Sequence, residues 1–439
     1  MLKGRREERR PPRVDWFPEK VYLHFDGPVS RADATTLVTD PEAVARHPFL
    51  PLITFDKRER RFRRKKGTAP KIDIKIRRIA YPSNRDSCIF SYYAHLLNEP
   101  YEELIKNLGI DDVVIGYRKI GSNIDLALAA FSEVKTRGSC VAFAFDISGF
   151  FDNIDHAILK KNWCRVLNVS ELPEDHYKVF RRLTKFSTVN RQACLRRLGE
   201  KPSSRDRDIK RRPICSIDQF RNLIRGDDGV STNLVVPWKR EYRIPQGTAL
   251  SALAANIAMI DFDVEMRQSI VALGGSYRRY SDDILVLVPP SQRDAVPLIL
   301  RKALKVTTRR LRINAKKTDE IEFVPGALAK GRGTKNLQYL GFLFDGERQL
   351  LRPNTLAKYY RRLHRAVASA KTQHKKAAAG KLAGRSNIHR RSLLAKVTHL
   401  GTENFITTYA ATAQSKSGGQ GIRRQLAGHT RKLNALLEH

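Results

Sequence analysis

The sequence predicts an α+β protein with an antiparallel sheet and a helical C-terminal region, and three patterns support this class. Residues 141–147 alternate large apolar side chains with small ones, as a buried strand does. Residues 278–288 carry β-branched and aromatic residues on both sides of a short polar turn, which predicts a β-hairpin. Beyond residue 350, apolar side chains recur at helical spacing: Leu356, Tyr359, Tyr360, Leu363 and Val367.

The charge of the chain indicates what kind of partner to expect. Lys and Arg number 82 against 45 Asp and Glu, which gives a formal net charge of +37. A surplus of this size favours a polyanion, and nucleic acid is the commonest one. An anionic membrane surface is the alternative, but the longest nearly apolar run, residues 248–260, is too short to cross a bilayer.

The termini and the cysteines predict a soluble, reduced, cytoplasmic chain. The first residues are charged and have no apolar core, so we expect no secretory signal. The five cysteines are scattered without the spacing of a zinc site, and their odd number argues against a disulfide framework. The length of 439 residues suggests two or three domains.

Residues 1–70 are expected to form a basic N-terminal extension. Residues 1–14 are predicted to be a disordered basic arm, and residues 57–66, "KRERRFRRKK", are the densest basic run. The default interpretation of such a run is a solvated loop. From residue 72 the pattern changes to a strand and then to a helix, with one apolar face made by Ile89, Tyr92, Tyr93, Leu96 and Leu97.

Three pairs of adjacent aspartates occur, and one of them lies at the tip of the predicted hairpin. Asp282 and Asp283 are flanked by "SYRRY" and "ILVLV", whereas the pairs at 111–112 and 227–228 lack such flanks. For an arbitrary pair of this kind a solvated turn is the default. Two like charges held side by side repel each other, so a buried pair needs a compensating cation.

A third carboxylate, Asp146, ends the predicted strand at residues 141–147. Its face of that strand is otherwise Ala142 and Ala144, which would let another group approach closely. Alone, Asp146 could be a helix cap. Together with Asp282 and Asp283 it could hold two divalent ions about 4 Å apart for phosphoryl transfer, with Mg²⁺ the expected metal and Mn²⁺ the substitute.

A turn that can approach a ligand precedes the hairpin. Pro245 stiffens it and Gly247 allows close backbone approach, with Gln246 between them. An alanine-rich helix follows, whose default interpretation is a tightly packed core helix.

The order of these motifs resembles the palm of reverse transcriptases, from about Tyr81 to Phe344. An aspartate-ended strand is followed by "IPQGTALSALAANI", then "YSDD", then "LRINAKKTDEI", then "LQYLGFLF". The resemblance implies an RNA-directed DNA polymerase, a nucleotidyltransferase that uses dNTPs and two Mg²⁺ ions. It implies metal binding by Asp146, Ile147, Asp282 and Asp283.

The resemblance also implies roles for the neighbouring residues. Phe151 matches the steric gate that excludes a ribose 2′-hydroxyl, although ordinary core packing is the alternative. Lys317 matches a catalytic lysine near the triphosphate, with Lys316 as its competitor and an ordinary surface lysine as the alternative. The remaining assignments are nucleotide binding by Ile147, Gln246, Gly247, Arg118 and Lys119, and a primer grip at Tyr339, Leu340 and Gly341.

The right-hand arrangement of such enzymes implies the domain boundaries. Residues 71–138 would form the fingers, 139–345 the palm with an insertion near 195–240, and 346–439 a helical thumb that binds RNA. On the predicted thumb helix the RNA-binding candidates are Arg361, Arg362, Arg365 and Lys371.

Within the reverse transcriptases, the chain looks most like the bacterial "unknown group" that acts in antiphage defence, with the type-two defence-associated enzymes as the best match. "VYLHFDGP", "HPFLPLITF" and the basic helical tail carry this resemblance, and no HNH nuclease, NAxxH or VTG signature is found. It implies a structured noncoding RNA as template or scaffold, and a DNA product. The alternatives are a retron-type enzyme, template-independent or protein-primed DNA synthesis, and a catalytically inactive RNA-binding scaffold.

Overall fold

A computed structural model describes residues 16–18, 20–63, 71–200, 212–307, 310–325, 330–332, 336–379 and 389–438. The basic arm predicted at residues 1–14 lies outside this range. The strands are β1 Leu52–Arg63, β2 Lys71–Tyr81, β3 Cys140–Ser148, β4 Ser187–Asn190, β5 Val236–Pro237, β6 Ser276–Tyr280, β7 Asp283–Val288, β8 Arg312–Ile313, β9 Asp319–Phe323, β10 Lys330–Arg332, β11 Leu337–Tyr339, β12 Phe342–Phe344 and β13 Gln349–Leu351.

Helices make up most of the remaining described chain. They are α1 Arg31–Val38, α2 Pro41–Arg46, α3 Asn84–Asn107, α4 Asn123–Arg137, α5 His156–Leu167, α6 Glu174–Thr184, α7 Arg191–Arg197, α8 Ile217–Gln219, α9 Ser251–Ala258, α10 Ile260–Ala272, α11 Val296–Thr307, α12 Pro353–Ala378, α13 Arg390–Val397, α14 Ala411–Ser417, α15 Gly421–Leu426 and α16 His429–Glu438. The predicted α+β class with antiparallel sheets is confirmed.

The chain divides into two compact units, each built from several segments. The first comprises residues 1–111, 149–265 and 302–312, and the second comprises residues 112–148, 266–301 and 313–439. Among the described residues, no helix combines the length and apolar composition that crossing a bilayer requires.

The first unit is organised around a four-stranded sheet in the order β2-β1-β4-β5. β1 and β2 pair antiparallel along their whole length, from Ile53 opposite Tyr81 to Arg63 opposite Lys71. The predicted boundary after residue 70 therefore falls between two paired strands. The basic run from residue 57 begins as strand rather than as the solvated loop we expected, because its backbone pairs with β2; its residues 64–66 lie outside the described range.

Helix α3 is the predicted helix after the second strand, and its ends follow from local chemistry. The Ser83 side chain accepts a hydrogen bond from the Asp86 backbone N–H and so caps the first turn. Ile89, Tyr93 and Leu97 are buried, as the predicted apolar face requires, whereas Leu96 is exposed.

The second unit contains the sheet that carries the aspartates. Its strand order is β10-β9-β3-β7-β6, and the pairings along it are antiparallel. β3 is central and buried from Cys140 to Ile147, which suits its apolar sequence. A three-stranded sheet, β11-β12-β13, and the helices from α12 onward pack into the same core, where the predicted apolar face of α12 contributes Tyr359, Leu363 and Val367.

Candidate active site

The register of two strands brings the three aspartates together. β6 and β7 form the predicted hairpin, in which Tyr280 pairs with Asp283 across the turn. β7 also pairs with β3, and Asp146 lies directly opposite Asp283 in that ladder. The Ile147 N–H donates to the Asp282 carbonyl oxygen at 2.9 Å, which fixes the turn against β3. Asp146 and Asp283, 137 residues apart in the chain, therefore lie side by side in the sheet.

The alternation of β3 explains which way Asp146 points. Phe143 and Phe145 share one face and their rings stack with centroids 5.7 Å apart. Ala142 and Ala144 belong to the other face, which carries Asp146 two residues further on. Asp146 is only 9% exposed, so its charge needs a partner.

Two residues of the segment before β9 partner Asp146. The Asn314 backbone N–H donates to the Asp146 carbonyl oxygen at 2.8 Å, and the Asn314 Nδ2 lies 3.4 Å from Asp146 Oδ1. The Lys317 ammonium forms an ion pair with both carboxylate oxygens, so Lys317 rather than Lys316 makes this contact. Asn314 was not predicted; its position at the head of "NAKKT" was the signal available.

The electrostatics of the turn disfavour three negative charges close together. Partial desolvation, followed by the charges of Asp282 and Asp146, raises the pKa of Asp283 to about 6, while Lys317 and Arg352 act in the opposite direction. Asp283 still reaches solvent, and its two acidic neighbours repel its charged form. A cation bound among the three groups would remove that repulsion.

The raised pKa of Asp283 predicts that stabilisation of the fold by Mg²⁺ depends on pH. Without metal, the folded chain holds the Asp283 proton more tightly than the unfolded chain does. Protonated Asp283 therefore stabilises the fold below its ordinary pKa, and this stabilisation is lost as pH rises through about 6. A divalent ion needs the ionised form. Mg²⁺ should therefore raise the Tm more at about pH 7.5 than at about pH 5. Thermal melts in Mg²⁺ and in EDTA measure this, with Asp283→Asn as control; equal Mg²⁺ shifts at both pH values would contradict it.

The donor chemistry of this group fits a divalent ion. Three carboxylates are the hard oxygen ligands that Mg²⁺ prefers, and the Ile147 carbonyl adjoins Asp146 in the chain. In the arrangement shown, no three His, Cys, Asp or Glu side chains of the described residues lie close enough together to enclose an ion. Lys317 supplies positive charge to Asp146 instead, so an ion bound there would compete with that ammonium.

A segment distant in the chain, residues 113–117, is hydrogen-bonded to the strand and turn that carry Asp282. The Arg279 N–H donates to the Val113 carbonyl at 2.8 Å, and the Ile115 N–H donates to the Arg279 carbonyl at 2.9 Å. The Tyr117 hydroxyl lies 3.1 Å from the Ser281 hydroxyl. Both residues have positive φ, 63° for Tyr117 and 59° for Ser281, which tertiary contacts must hold in place.

The predicted triphosphate contacts follow that segment directly. The Arg118 Nη1 donates to the Val114 carbonyl at 2.8 Å, which fixes the guanidinium on its own loop. Arg118 is half-buried and Lys119 is exposed. Both belong to the unit that holds the aspartates.

The Pro-Gln-Gly turn is fixed in the first unit by a hydrogen bond to β2. The Gln246 carbonyl accepts from the Ala80 N–H at 2.8 Å. Gly247 has φ 133°, and a Cβ added there would lie 2.4 Å from the Ala80 carbonyl oxygen, so only glycine fits. The Ser251 hydroxyl closes the turn by donating to the Pro245 carbonyl at 2.6 Å.

Phe151 lies in a short 3₁₀ helix, Phe150–Asn153, of the same unit. Its carbonyl accepts from the Ile244 N–H at 3.0 Å, which ties this helix to the residue just before the Pro-Gln-Gly turn. The buried Phe150 ring contacts it edge-on at 5.4 Å, and the Phe151 ring remains half-exposed. Phe151 is therefore the ring of this pair that a ligand can reach.

The predicted primer grip is a tight hairpin formed by β11 and β12. Leu340 and Gly341 make its turn with φ of 43° and 96°, the pattern of a two-residue hairpin loop. Tyr339 is 3% exposed, and burial raises its pKa. Its side chain packs into the core, whereas Leu340 and Gly341 are half-buried at the turn, and the primer-grip role of the three residues stays a prediction.

The site residues thus fall in two groups. The second unit holds Arg118, Lys119, Asp146, Ile147, Asp282, Asp283, Lys317, Tyr339, Leu340 and Gly341. The first unit holds Phe151, Gln246 and Gly247.

Comparison with known families identifies the class. Residues 201–344 match the family described as "Reverse transcriptase (RNA-dependent DNA polymerase)". Residues 201–344 therefore belong to a reverse transcriptase domain, and enzymes with this domain are RNA-directed DNA polymerases, nucleotidyltransferases that generally use divalent metal ions and dNTPs. Asp146 precedes the matched segment, and its pairing with Asp283 brings it to that domain. No curated protein matches the chain.

Solved telomerase structures from yeasts are similar at low identity. Telomerase from Candida albicans, in complex with a fragment of telomeric RNA, shares 12% identity at a TM-score of 0.43, covering 93% of this chain and 59% of its own. C-terminally truncated apo telomerase from Candida tropicalis shares 12% at a TM-score of 0.41, covering 71% and 57%. The chain spans less than two thirds of the length of either relative.

Proposed function

We propose that this chain synthesises DNA on an RNA template by two-metal phosphoryl transfer. The observation that carries the proposal is the register of β3 and β7, which sets Asp146 opposite Asp283 beside a hydrogen-bonded Asp282 turn. Three acidic groups repel one another unless cations join them, and two-metal chemistry needs that arrangement. The match of residues 201–344 to reverse transcriptases supports the same reaction.

Asp146, Asp282, Asp283 and the Ile147 carbonyl would hold the divalent ions. Such ions activate the 3′-hydroxyl of a primer and stabilise the pyrophosphate that leaves. The chain itself supplies the fixed geometry: the turn is held by Ile147, Ser281 and the segment from Val113 to Tyr117. Arg118 and Lys119 follow that segment, where their charge suits a triphosphate.

Lys317 is proposed to neutralise Asp146 before metal binds and then to donate a proton to the pyrophosphate. We expect Lys317→Met to slow nucleotide incorporation about a hundredfold, because a general acid is lost. The same change should tighten Mn²⁺ binding, because Asp146 loses its competing cation. Primer extension and Mn²⁺ titration measure the two effects, with Lys316→Met as the matched control. Slow synthesis by the control and normal synthesis by Lys317→Met would assign the role to Lys316.

Phe151 is proposed to exclude ribonucleotides through its half-exposed ring. We expect Phe151→Val to raise the ratio of ribonucleotide to deoxynucleotide incorporation at least about tenfold, since the ring no longer blocks the 2′-hydroxyl. Single-nucleotide extension with each substrate measures the ratio, and Phe151→Tyr, which keeps the ring, is the control. A ratio unchanged by valine would leave Phe151 with a packing role only.

The outer face of α12 is proposed to bind the phosphates of an RNA or of the template–primer duplex. Arg361, Arg362 and Arg365 are exposed there, Lys371 is half-buried, and Leu363 faces the core behind them. Such a face binds without reading bases and weakens steeply as salt rises.

The biological setting is proposed from the resemblance to defence-associated enzymes. In it a cytoplasmic chain copies a structured noncoding RNA encoded nearby, and the DNA made acts against phage. Sequencing the RNA and the DNA that co-purify with the chain tests this. We expect DNA complementary to one co-purified RNA, and synthesis that stops after RNase treatment. DNA without a complement, synthesis that survives RNase, or product covalently joined to protein would favour untemplated or protein-primed synthesis instead.

A further inference from the structure

A cavity of about 380 Å³ opens in the second unit, lined by α4, by the loop and strand from Glu347 to Gln349, and by the end of α14. We call it the α4 cavity. Its size falls in the range of small-molecule sites, and it is lined by residues other than those assigned above to metal, nucleotide or primer. Its apolar wall includes Phe131 and Phe344, whose rings stack with centroids 4.7 Å apart.

A buried carboxamide in this lining has no hydrogen-bond partner. Gln349 is 8% exposed, and neither its Oε1 nor its Nε2 has a partner among the described residues. Leaving buried polar atoms unpaired is costly, and native proteins rarely do so without a reason such as a bound ligand. A free donor beside a free acceptor suits a planar group that presents the complementary pair.

Other polar residues that line the α4 cavity indicate which further chemical groups the ligand has. Lys135 and Lys416 are exposed and positively charged, and Lys416 forms an ion pair with Asp125. They suit an anion such as a phosphate. The Glu347 carboxylate can only accept hydrogen bonds, and ribose hydroxyls are donors of the right kind.

We propose that the α4 cavity binds an adenine ribonucleotide, either free or as an unpaired nucleotide of an RNA strand. Gln349 would hold the adenine edge through a donor and an acceptor, the pairing that glutamine makes with adenine N6 and N7. Lys135 and Lys416 would hold the phosphate, and Glu347 the ribose. The proposal does not rest on DNA synthesis, so a failure to bind AMP would leave the proposed polymerase activity untouched, and the reverse.

The test is calorimetric titration of the full chain, freed of nucleic acid, with AMP. We expect Gln349→Leu to weaken AMP binding about tenfold or more, because both hydrogen bonds to the base are lost. The variant should melt no lower than the parent, since replacing an unpaired buried amide by an apolar group of similar shape costs little. Gln420→Leu, an exposed position outside the lining, is the matched control and should bind AMP normally.

Further titrations separate the sources and the alternatives. Deoxy-AMP and GMP should bind more weakly than AMP. A short single-stranded oligoadenylate that competes with AMP and binds more tightly identifies an RNA strand as the source, and one that binds no better identifies the free nucleotide. The proposal is overturned if millimolar AMP and the oligonucleotide both fail to bind the parent chain, if Gln349→Leu leaves AMP binding unchanged, or if only an acidic peptide binds there.

Discussion

Replacing Asp282 by Asn should lower the rate of DNA synthesis at least about a thousandfold, because the side chain keeps its shape and loses the charge that holds a divalent ion. Asp146→Asn and Asp283→Asn should have effects of the same order, since the three groups share the ions. RNA binding should change little, because the cationic surface is untouched. Primer extension on an RNA template and filter binding of the same RNA measure the two properties.

Another adjacent aspartate pair of the chain provides the matched control. Asp227 lies in an exposed turn, 3.6 Å from the Arg225 guanidinium, and belongs to the other unit. Asp227→Asn should leave synthesis near the parent rate. Continued dNTP incorporation by a chain lacking both Asp282 and Asp283 would show that the site is assigned wrongly.

Adding one methyl group at Gly116 should lower synthesis about a hundredfold, because a misplacement of about 1 Å at a catalytic group has effects of that size. A Cβ at Gly116 would lie 2.6 Å from the Ser281 nitrogen and 3.0 Å from the Tyr280 Cα. Both contacted atoms belong to the backbone, so they cannot move aside as a flexible side chain would. The turn that carries Asp282 must therefore move. Rates for Gly116→Ala and its affinity for Mn²⁺ should both fall.

The control for this change is a glycine of the same unit with space around it. Among the described residues, a Cβ at Gly428 would meet only a side-chain nitrogen of Arg431, at 3.9 Å. Gly428→Ala should therefore keep the parent rate and Mn²⁺ affinity. Full activity of Gly116→Ala, with an unchanged Tm, would mean that the segment from Val113 to Tyr117 does not position the aspartate turn.

The elements that the sequence predicts are those whose signal is local. The strand that ends at Asp146, the hairpin at Asp282 and the apolar face of α12 each show a period of 2 or 3.6 residues within one stretch of chain. Their side chains can be assigned to a face without knowing the rest of the fold. The roles of Phe151, Gln246 and Gly247 follow instead from the resemblance of their motifs to reverse transcriptases, and their placement depends on contacts with Ile244 and β2.

Contacts between distant segments could not be predicted in this way. The Tyr117 hydroxyl meets Ser281 across 164 residues, and nothing in either sequence stretch indicates the other. The burial of Tyr339 is a similar case, because the residues that cover it come from the surrounding core rather than from its own hairpin. The prediction of a loop for the basic run at residues 57–66 was wrong for its first part. Dense charge suggests a loop, whereas backbone pairing with β2 makes that part a strand.

Anomalous scattering from crystals grown with Mn²⁺ and a dNTP tests the central claim most directly. We predict Mn²⁺ peaks bounded by the carboxylates of Asp146, Asp282 and Asp283, with the Lys317 ammonium moved off Asp146. Crystals that bind the nucleotide while Lys317 stays on Asp146 and no Mn²⁺ peak lies near the three aspartates would contradict it.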